Sequence, residues 1–236
     1  RDRFGWLYHS LIVDVGGHDG DGFGSSLDLK GDLLVIGSPT YMTDIGKAGC
    51  VTVWRRNSMD IWQVEERLLA QDRVEGDNFG TSVSLDSSGE MLVGSPGRDT
   101  NGIDSGLAIH YSGGQDGWFE TARFGSFVAQ PGDRFGTSVG LVENHAFIGS
   151  PYSSFSGPFS GQVVSYRRSN SIWILQPFLN PDPGSSGTGF GATLAIEGNL
   201  LAVGAPMDMG TEAMPSGSVN IYRYQQEWIF ESSLQG

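Results

Sequence analysis

The side chains able to do chemistry are few and scattered. Carboxylates cluster among glycines at one place, where Asp14, His18, Asp19 and Asp21 fall together. Oxygen ligands on a glycine-rich loop would suit a hard cation, calcium above all. Their spacing fits no standard calcium loop, so Asp14, Asp19 and Asp21 are weak metal candidates, and no metal or cofactor is expected. The histidines, His9, His18, His110 and His145, share no motif, and neither a His-Glu-x-x-His nor a phosphate-loop pattern is present. Cys50 is the single cysteine, so no disulfide can form within the chain. It opens a short apolar run, where a buried structural thiol is the reading ahead of a nucleophile. Catalysis therefore has little support, and a non-enzymatic protein is expected.

Composition points the same way. The chain has 236 residues, 38% of them hydrophobic and only 17% charged, with 36 glycines. Many glycines and few charges suit an all-β protein with many tight turns. The formal net charge is −13. Binding to nucleic acid through phosphates needs a basic surface, so nucleic acid is not an expected partner. No apolar run is long enough to span a membrane as a helix.

The elements that must carry these residues repeat. Phe-Gly occurs at Phe23-Gly24, Phe79-Gly80, Phe135-Gly136 and Phe190-Gly191, about 55 residues apart. Each is followed by a Gly-Ser/Ala-Pro triplet, at Gly37, Gly94, Gly149 and Gly204. A glycine then opens an apolar run, at Gly49, Gly106, Gly161 and Gly217, and a tryptophan closes the set, at Trp62, Trp118, Trp173 and Trp228. Between the markers lie short runs of β-branched and aromatic residues bounded by turn residues, such as Lys30-Gly31-Asp32 and Glu197-Gly198-Asn199. Each unit reads as four short antiparallel strands. A four-stranded meander repeated in tandem predicts a β-propeller blade. The Phe-Gly glycines are expected to let backbones crowd at the central channel, the triplet proline to end the second strand, and the tryptophans to pack between blades on the outer strand.

These markers, in this order, resemble the FG-GAP repeat family, best known from the integrin α-subunit head. The resemblance implies a β-propeller acting in extracellular recognition. Integrin-like blades often carry an Asp-rich calcium loop between Phe-Gly and the triplet. This chain has tight turns there, such as Val142-Glu143-Asn144-His145, so the calcium role does not carry over. Lys30-Gly31-Asp32 resembles an integrin-ligand tripeptide, although any Gly-Asp would serve that hairpin turn. Arg55-Arg56 and Arg167-Arg168 fall at equivalent turns and read as solvated ends, or as basic spots for an acidic partner.

The whole chain, 1–236, is read as one FG-GAP β-propeller region. It holds an orphan strand over 4–14, from Trp6 onward, and four repeats at about 15–70, 71–126, 127–181 and 182–236. Four complete units plus an extra N-terminal strand suggest part of a larger propeller. The loops after each triplet differ between repeats while the framework does not, and variable loops on a rigid scaffold are where binding sits. The partner-binding candidates are therefore Tyr41, Met42, Arg98, Asp99, Tyr152, Phe155, Phe159, Met207 and Met209, with Glu212 and Met214 in the same fourth loop. The expected function is an extracellular, cell-surface or lumenal protein-interaction or assembly module. A glycan-binding propeller is the alternative, and a propeller enzyme ranks last.

Overall fold

The computed structural model describes residues 8–114, 116–125, 129–180, 186–209 and 216–235. Eighteen strands and no helix appear among them. Blade 1 holds β1 (Ser26–Lys30), β2 (Leu33–Ser38), β5 (Cys50–Arg56) and β6 (Trp62–Leu68), in that order from inner to outer. A two-strand hairpin, β3 (Met42–Thr43) and β4 (Gly46–Lys47), projects from its β2–β5 loop. Blade 2 is β7 (Ser82–Leu85), β8 (Glu90–Ser95), β9 (Leu107–Gly114) and β10 (Gly117–Gly125). Blade 3 is β11 (Ser138–Val142), β12 (His145–Ser150), β13 (Gln162–Ser169) and β14 (Ile172–Leu175). Blade 4 is β15 (Thr193–Glu197), β16 (Leu200–Ala205), β17 (Ser218–Tyr224) and β18 (Trp228–Gln235). The inner strands of successive blades are neighbours, β1 beside β7, β7 beside β11, and β11 beside β15.

Burial explains the composition of each strand. The second strands of blades 1 to 3 are covered on both faces, so they are nearly continuous apolar runs. The outer strands are largely open to solvent and carry charges, as in Trp62–Leu68, where Gln63, Val64 and Glu65 are exposed in a row. Three core clusters follow the blade boundaries, and the first joins Val35, Val51 and Leu68 of blade 1 to Val83, Leu85 and Val93 of blade 2.

The repeat markers build the seams between blades. Phe79, Phe135 and Phe190 are fully buried, and each bridges in parallel to the glycine that precedes the third strand of the blade before, at Gly49, Gly106 and Gly161. The following glycine hands its carbonyl oxygen to an inner-strand serine of the preceding blade. Ser26 Oγ donates to Gly80 O at 2.8 Å, Ser82 Oγ to Gly136 O at 2.9 Å and Ser138 Oγ to Gly191 O at 2.7 Å. The triplet glycine makes room: a Cβ on Gly37, Gly94 or Gly149 would overlap that same carbonyl group. The Phe-Gly glycines were expected to relieve crowding at the central channel. They instead relieve it at the seams, where a Cβ on Gly80, Gly136 or Gly191 would meet the carbonyl oxygen of Cys50, Leu107 or Gln162.

The outer tryptophans do pack between blades. Trp118 Nε1 donates to Glu65 Oε1 of blade 1 at 3.2 Å. Trp173 meets Phe124 of blade 2 edge-on at 5.4 Å, and Trp228 meets Phe147 of blade 3 edge-on at 5.0 Å.

The N-terminal segment differs from expectation. Trp6 lies outside the described residues, and residues 8–14 carry no strand. They run beside Trp54 and Trp62 of blade 1, held by a 2.8 Å contact of His9 with Asp60 and by the Asp14–Arg67 ion pair. This is the place a preceding blade's outer strand would take, since Glu65 and Glu66 of blade 1 stand in the same way beside Trp118. A lone segment there has no third strand to pair with, so it forms no ladder.

Candidate functional site

The loops joining second to third strands share a face with the connections between blades. On that face lies a hollow of about 710 Å³ on blade 3. Its aromatic wall is Tyr152, Phe155 and Phe159 from the β12–β13 loop and Phe178 from the connection after β14. The segment Gln130–Asp133, which enters blade 3, closes the other side. Pockets of this size with apolar walls and a few polar groups are the usual ligand sites of proteins.

Local chemistry holds the aromatic loop in shape. Buried Ser153 anchors it: its carbonyl oxygen accepts from Gly161 N at 2.9 Å, and its hydroxyl accepts from Phe155 N at 3.4 Å. Ser154 Oγ accepts from Phe159 N at 3.1 Å. Phe159 sits at φ 51°, a left-handed conformation that is costly for a bulky residue. The strained backbone turns an exposed phenyl ring toward the hollow instead of into the core. Phe155 packs edge-on against Phe178 at 5.4 Å, and the Arg134 guanidinium lies over the Tyr152 ring at 5.5 Å. At the floor, burial pushes the Asp133 carboxyl above its ordinary value, against the opposing hydrogen bonds from Gln130 N and Ser153.

The other loop candidates divide. Tyr41 lies under the Arg67 guanidinium, and its hydroxyl oxygen accepts from Arg67 at 2.9 Å, so it braces the blade. Arg98 is held by Asp72 and Asp77 at 2.9 and 2.8 Å and ties the loop to the connection between blades 1 and 2. Asp99 accepts from Asp104 N within its own loop. Met42, Met207 and Met209 are exposed. Glu212 and Met214, from the same loop as Met207, lie outside the described residues. The structure gathers Tyr152, Phe155 and Phe159 into one hollow and leaves the other candidates apart from it. Sequence reasoning missed Phe178, Gln130 and Arg134. Each lies in or next to a connection between blades, and the shared face of those connections was the signal that could have found them.

Asp14, Asp19 and Asp21 do not converge on a cation site. Asp14 pairs with Arg67, while Asp21 accepts backbone N–H groups from His18 at 2.6 Å and Met42 at 3.1 Å. Asp77 and Asp133 accept from Val74 N and Gln130 N in the same manner, so this position is a loop fastener. Among the described residues no group of three or more His, Cys, Asp or Glu side chains could hold a metal ion.

Other reactive groups are also built in. Burial pushes the Cys50 thiol up to about 12, which removes its nucleophilic character at neutral pH. Gly136-Thr137-Ser138-Val139-Gly140 has the spacing of a nucleophile elbow, yet Ser138 starts an inner strand and donates to Gly191 O at the seam. Asp32 of the Lys30-Gly31-Asp32 turn is engaged by Arg56 at 2.7 Å. Arg55 pairs with Glu65, and Arg168 grips Glu90 through both guanidinium nitrogens at 2.8 and 2.6 Å, across the blade 2–3 seam.

Comparison with known proteins agrees with this architecture. Residues 62–108 match the FG-GAP repeat family. FG-GAP repeats are generally involved in protein interaction, and they are typically non-catalytic and extracellular. No curated protein matches the chain. The crystal structure of a propeller-type protein from Lactobacillus plantarum, a structural genomics target, resembles it with a TM-score of 0.53 at 12% identity. The match covers 86% of this chain and 54% of that one, so the chain spans about half the length of that structure. The matched repeat runs from Trp62 to Ala108, and so it straddles the blade 1–2 seam with every marker in place. The same markers build the other two seams, so the chain is a β-propeller chain in which residues 62–108 match an FG-GAP repeat.

Proposed function

We propose that this chain is a non-catalytic interaction module of an extracellular, cell-surface or lumenal protein, and that the blade 3 hollow is its binding face. The observation that carries this reading is the exposure of Phe155 and Phe159 beside Tyr152 on a loop held by Ser153 and Ser154. Rigid exposed aromatics that lose little entropy on contact are the usual anchors of protein interfaces. The test is affinity capture from the native source, comparing wild type with a Tyr152→Ala/Phe155→Ala/Phe159→Ala variant. The variant should lose the partners that the wild type captures. Capture of the same set by both proteins would sink the proposal.

A glycan ligand is the second reading, favoured by amide and hydroxyl groups of Gln130 and Ser154 beside the aromatic wall. Wild-type binding on a glycan array, abolished in the same variant, would select it.

A further inference from the structure

Blade 3 departs from blade 2 at one charged position, and the departure falls inside the aromatic hollow. From it we infer that the hollow takes a phosphocholine-type zwitterion, its quaternary ammonium seated among Tyr152, Phe155, Phe159 and Phe178 and its phosphate meeting Arg134. The inference rests on the reading of this hollow as the binding face, and it names the chemical group that face recognises on a partner.

Asp77 and Asp133 hold the same place in their repeats, two residues before the Phe-Gly phenylalanine. Both are buried, and each accepts a backbone N–H, from Val74 and from Gln130. In blade 2 the carboxylate also meets a cation, since Arg98 donates to Asp77 Oδ2 at 2.8 Å. Counted from the triplet proline, Ser153 stands in blade 3 where blade 2 has Arg98. Among the described residues no Lys, Arg or His side chain pairs with Asp133, which is left with Gln130 N and the Ser153 hydroxyl. A buried carboxylate without a counter-charge is costly. The loop that carries the three exposed rings has thus given up the cation that neutralises the same carboxyl one blade earlier.

The walls say which cation fits. Four aromatic side chains line the hollow, and among the described residues no Lys or Arg does. Aromatic rings attract a cation through their negative faces, and quaternary ammonium groups are the ligands for which proteins use this most. A primary ammonium carries three N–H donors, and a wall of rings would leave them unpaired. A quaternary ammonium has none to satisfy. The Tyr152 ring already takes one cation on its face, the Arg134 guanidinium at 5.5 Å.

Arg134 supplies the opposite pole. It follows Asp133 directly, is half exposed, and meets Asp104 only at a long 3.5 Å. A phosphate makes shorter and stronger paired bonds with a guanidinium, so it would take the place of Asp104. A ligand with a lone positive charge would be repelled by Arg134, and one with a lone negative charge would find nothing for it in the hollow. A ligand carrying both charges satisfies both, and a volume of about 710 Å³ admits such a headgroup whole.

Isothermal titration of the 236-residue chain with phosphocholine tests the inference. The controls are choline, which lacks the phosphate, and neohexyl phosphate, in which a carbon replaces the quaternary nitrogen. Phosphocholine should bind at least about 10-fold tighter than either control. Phe155→Ala/Phe159→Ala should weaken it by a similar factor and keep the wild-type melting temperature, because both rings are exposed. Arg134→Gln should reduce phosphocholine to the affinity of choline. Asp133→Asn should lose the preference for phosphocholine over neohexyl phosphate, a ratio that a merely loosened loop would not change. Equal affinity for those two ligands in the wild type, or no heat of binding with phosphocholine, would overturn the inference. Either result would leave the hollow as a binding face for an uncharged group, which the capture experiment with the triple aromatic variant judges separately. Co-sedimentation with phosphatidylcholine vesicles, set beside the free ligand, distinguishes a lipid headgroup from a soluble source of the same group.

Discussion

Gly94 and Gly204 hold the same position in their repeats but face different neighbours. A Cβ on Gly94 would press on the backbone carbonyl of Gly136, which is pinned by Ser82 and by the seam. Backbone cannot step aside without opening two blades, so Gly94→Ala should cost about 1–3 kcal/mol or more in urea unfolding. A Cβ on Gly204 would meet the Thr193 hydroxyl, a side-chain tip that can rotate away. Gly204→Ala should therefore stay within about 1 kcal/mol of wild type. Equal losses for the two variants would mean that the Gly-Ser/Ala-Pro glycine serves its own blade instead of the seam. Its presence was legible in the sequence because only glycine tolerates such an approach. Its reason was not, because the oxygen it avoids lies on a residue about 40 positions away in the next blade.

At the scale of elements, the blade 2–3 seam holds a buried histidine. His110 of β9 lies edge-on to Trp173 of β14 at 5.2 Å and hydrogen-bonds through Nδ1 with Thr121 of β10 at 2.6 Å. Burial holds it below its ordinary value, and Arg168 acts in the same direction, while Glu90 at 3.7 Å and Asp86 oppose them. His145 of β12 is lowered too, by burial first and then by Arg167. An unfolded histidine takes up its proton near pH 6.5, whereas the folded rings resist it. The unfolded state then binds more protons, so stability is full above that pH and declines as pH falls from it toward the depressed folded values. Thermal midpoints measured from pH 7.5 to about 5 should fall, and a His110→Gln/His145→Gln variant should lose most of that slope. A slope unchanged in the double variant would place the pH sensitivity elsewhere. Glu90, lowered mainly by its hydrogen bonds from Arg168, adds a separate loss that begins only below about pH 4.3. Position in a third strand was readable for His110, but its neighbours Trp173 and Arg168 come from a blade about 60 residues on, which spacing alone does not bring together.

As a whole molecule, the chain is a row of blades in which stability passes between neighbours. Blades 2 and 3 are covered on both sides, whereas blade 4 has one open face and its outer strand β18 is exposed along almost its whole length. Strands with few buried contacts open first. In hydrogen exchange the amides of β8 and β12 should be the slowest and those of β18 the fastest of any strand. Uniform protection across the four blades would instead indicate a closed assembly, in which blade 4 is covered as the others are.

The sequence by itself determined the strand content, the four-fold repeat, the blade as its unit and the outer tryptophan as a contact between blades. These follow from local demands: a tight turn, a strand that ends at proline, a backbone approach that excludes a Cβ. It also marked Tyr152, Phe155 and Phe159 as loop aromatics. Only the tertiary structure decided that they form one hollow with Phe178 and Gln130, that Tyr41 and Arg98 brace the blades, and that the Phe-Gly glycines work at the seams. The physical reason is distance along the chain. Marker spacing records what each strand requires of itself, while the site and the open faces depend on groups that meet only when one blade stacks on the next.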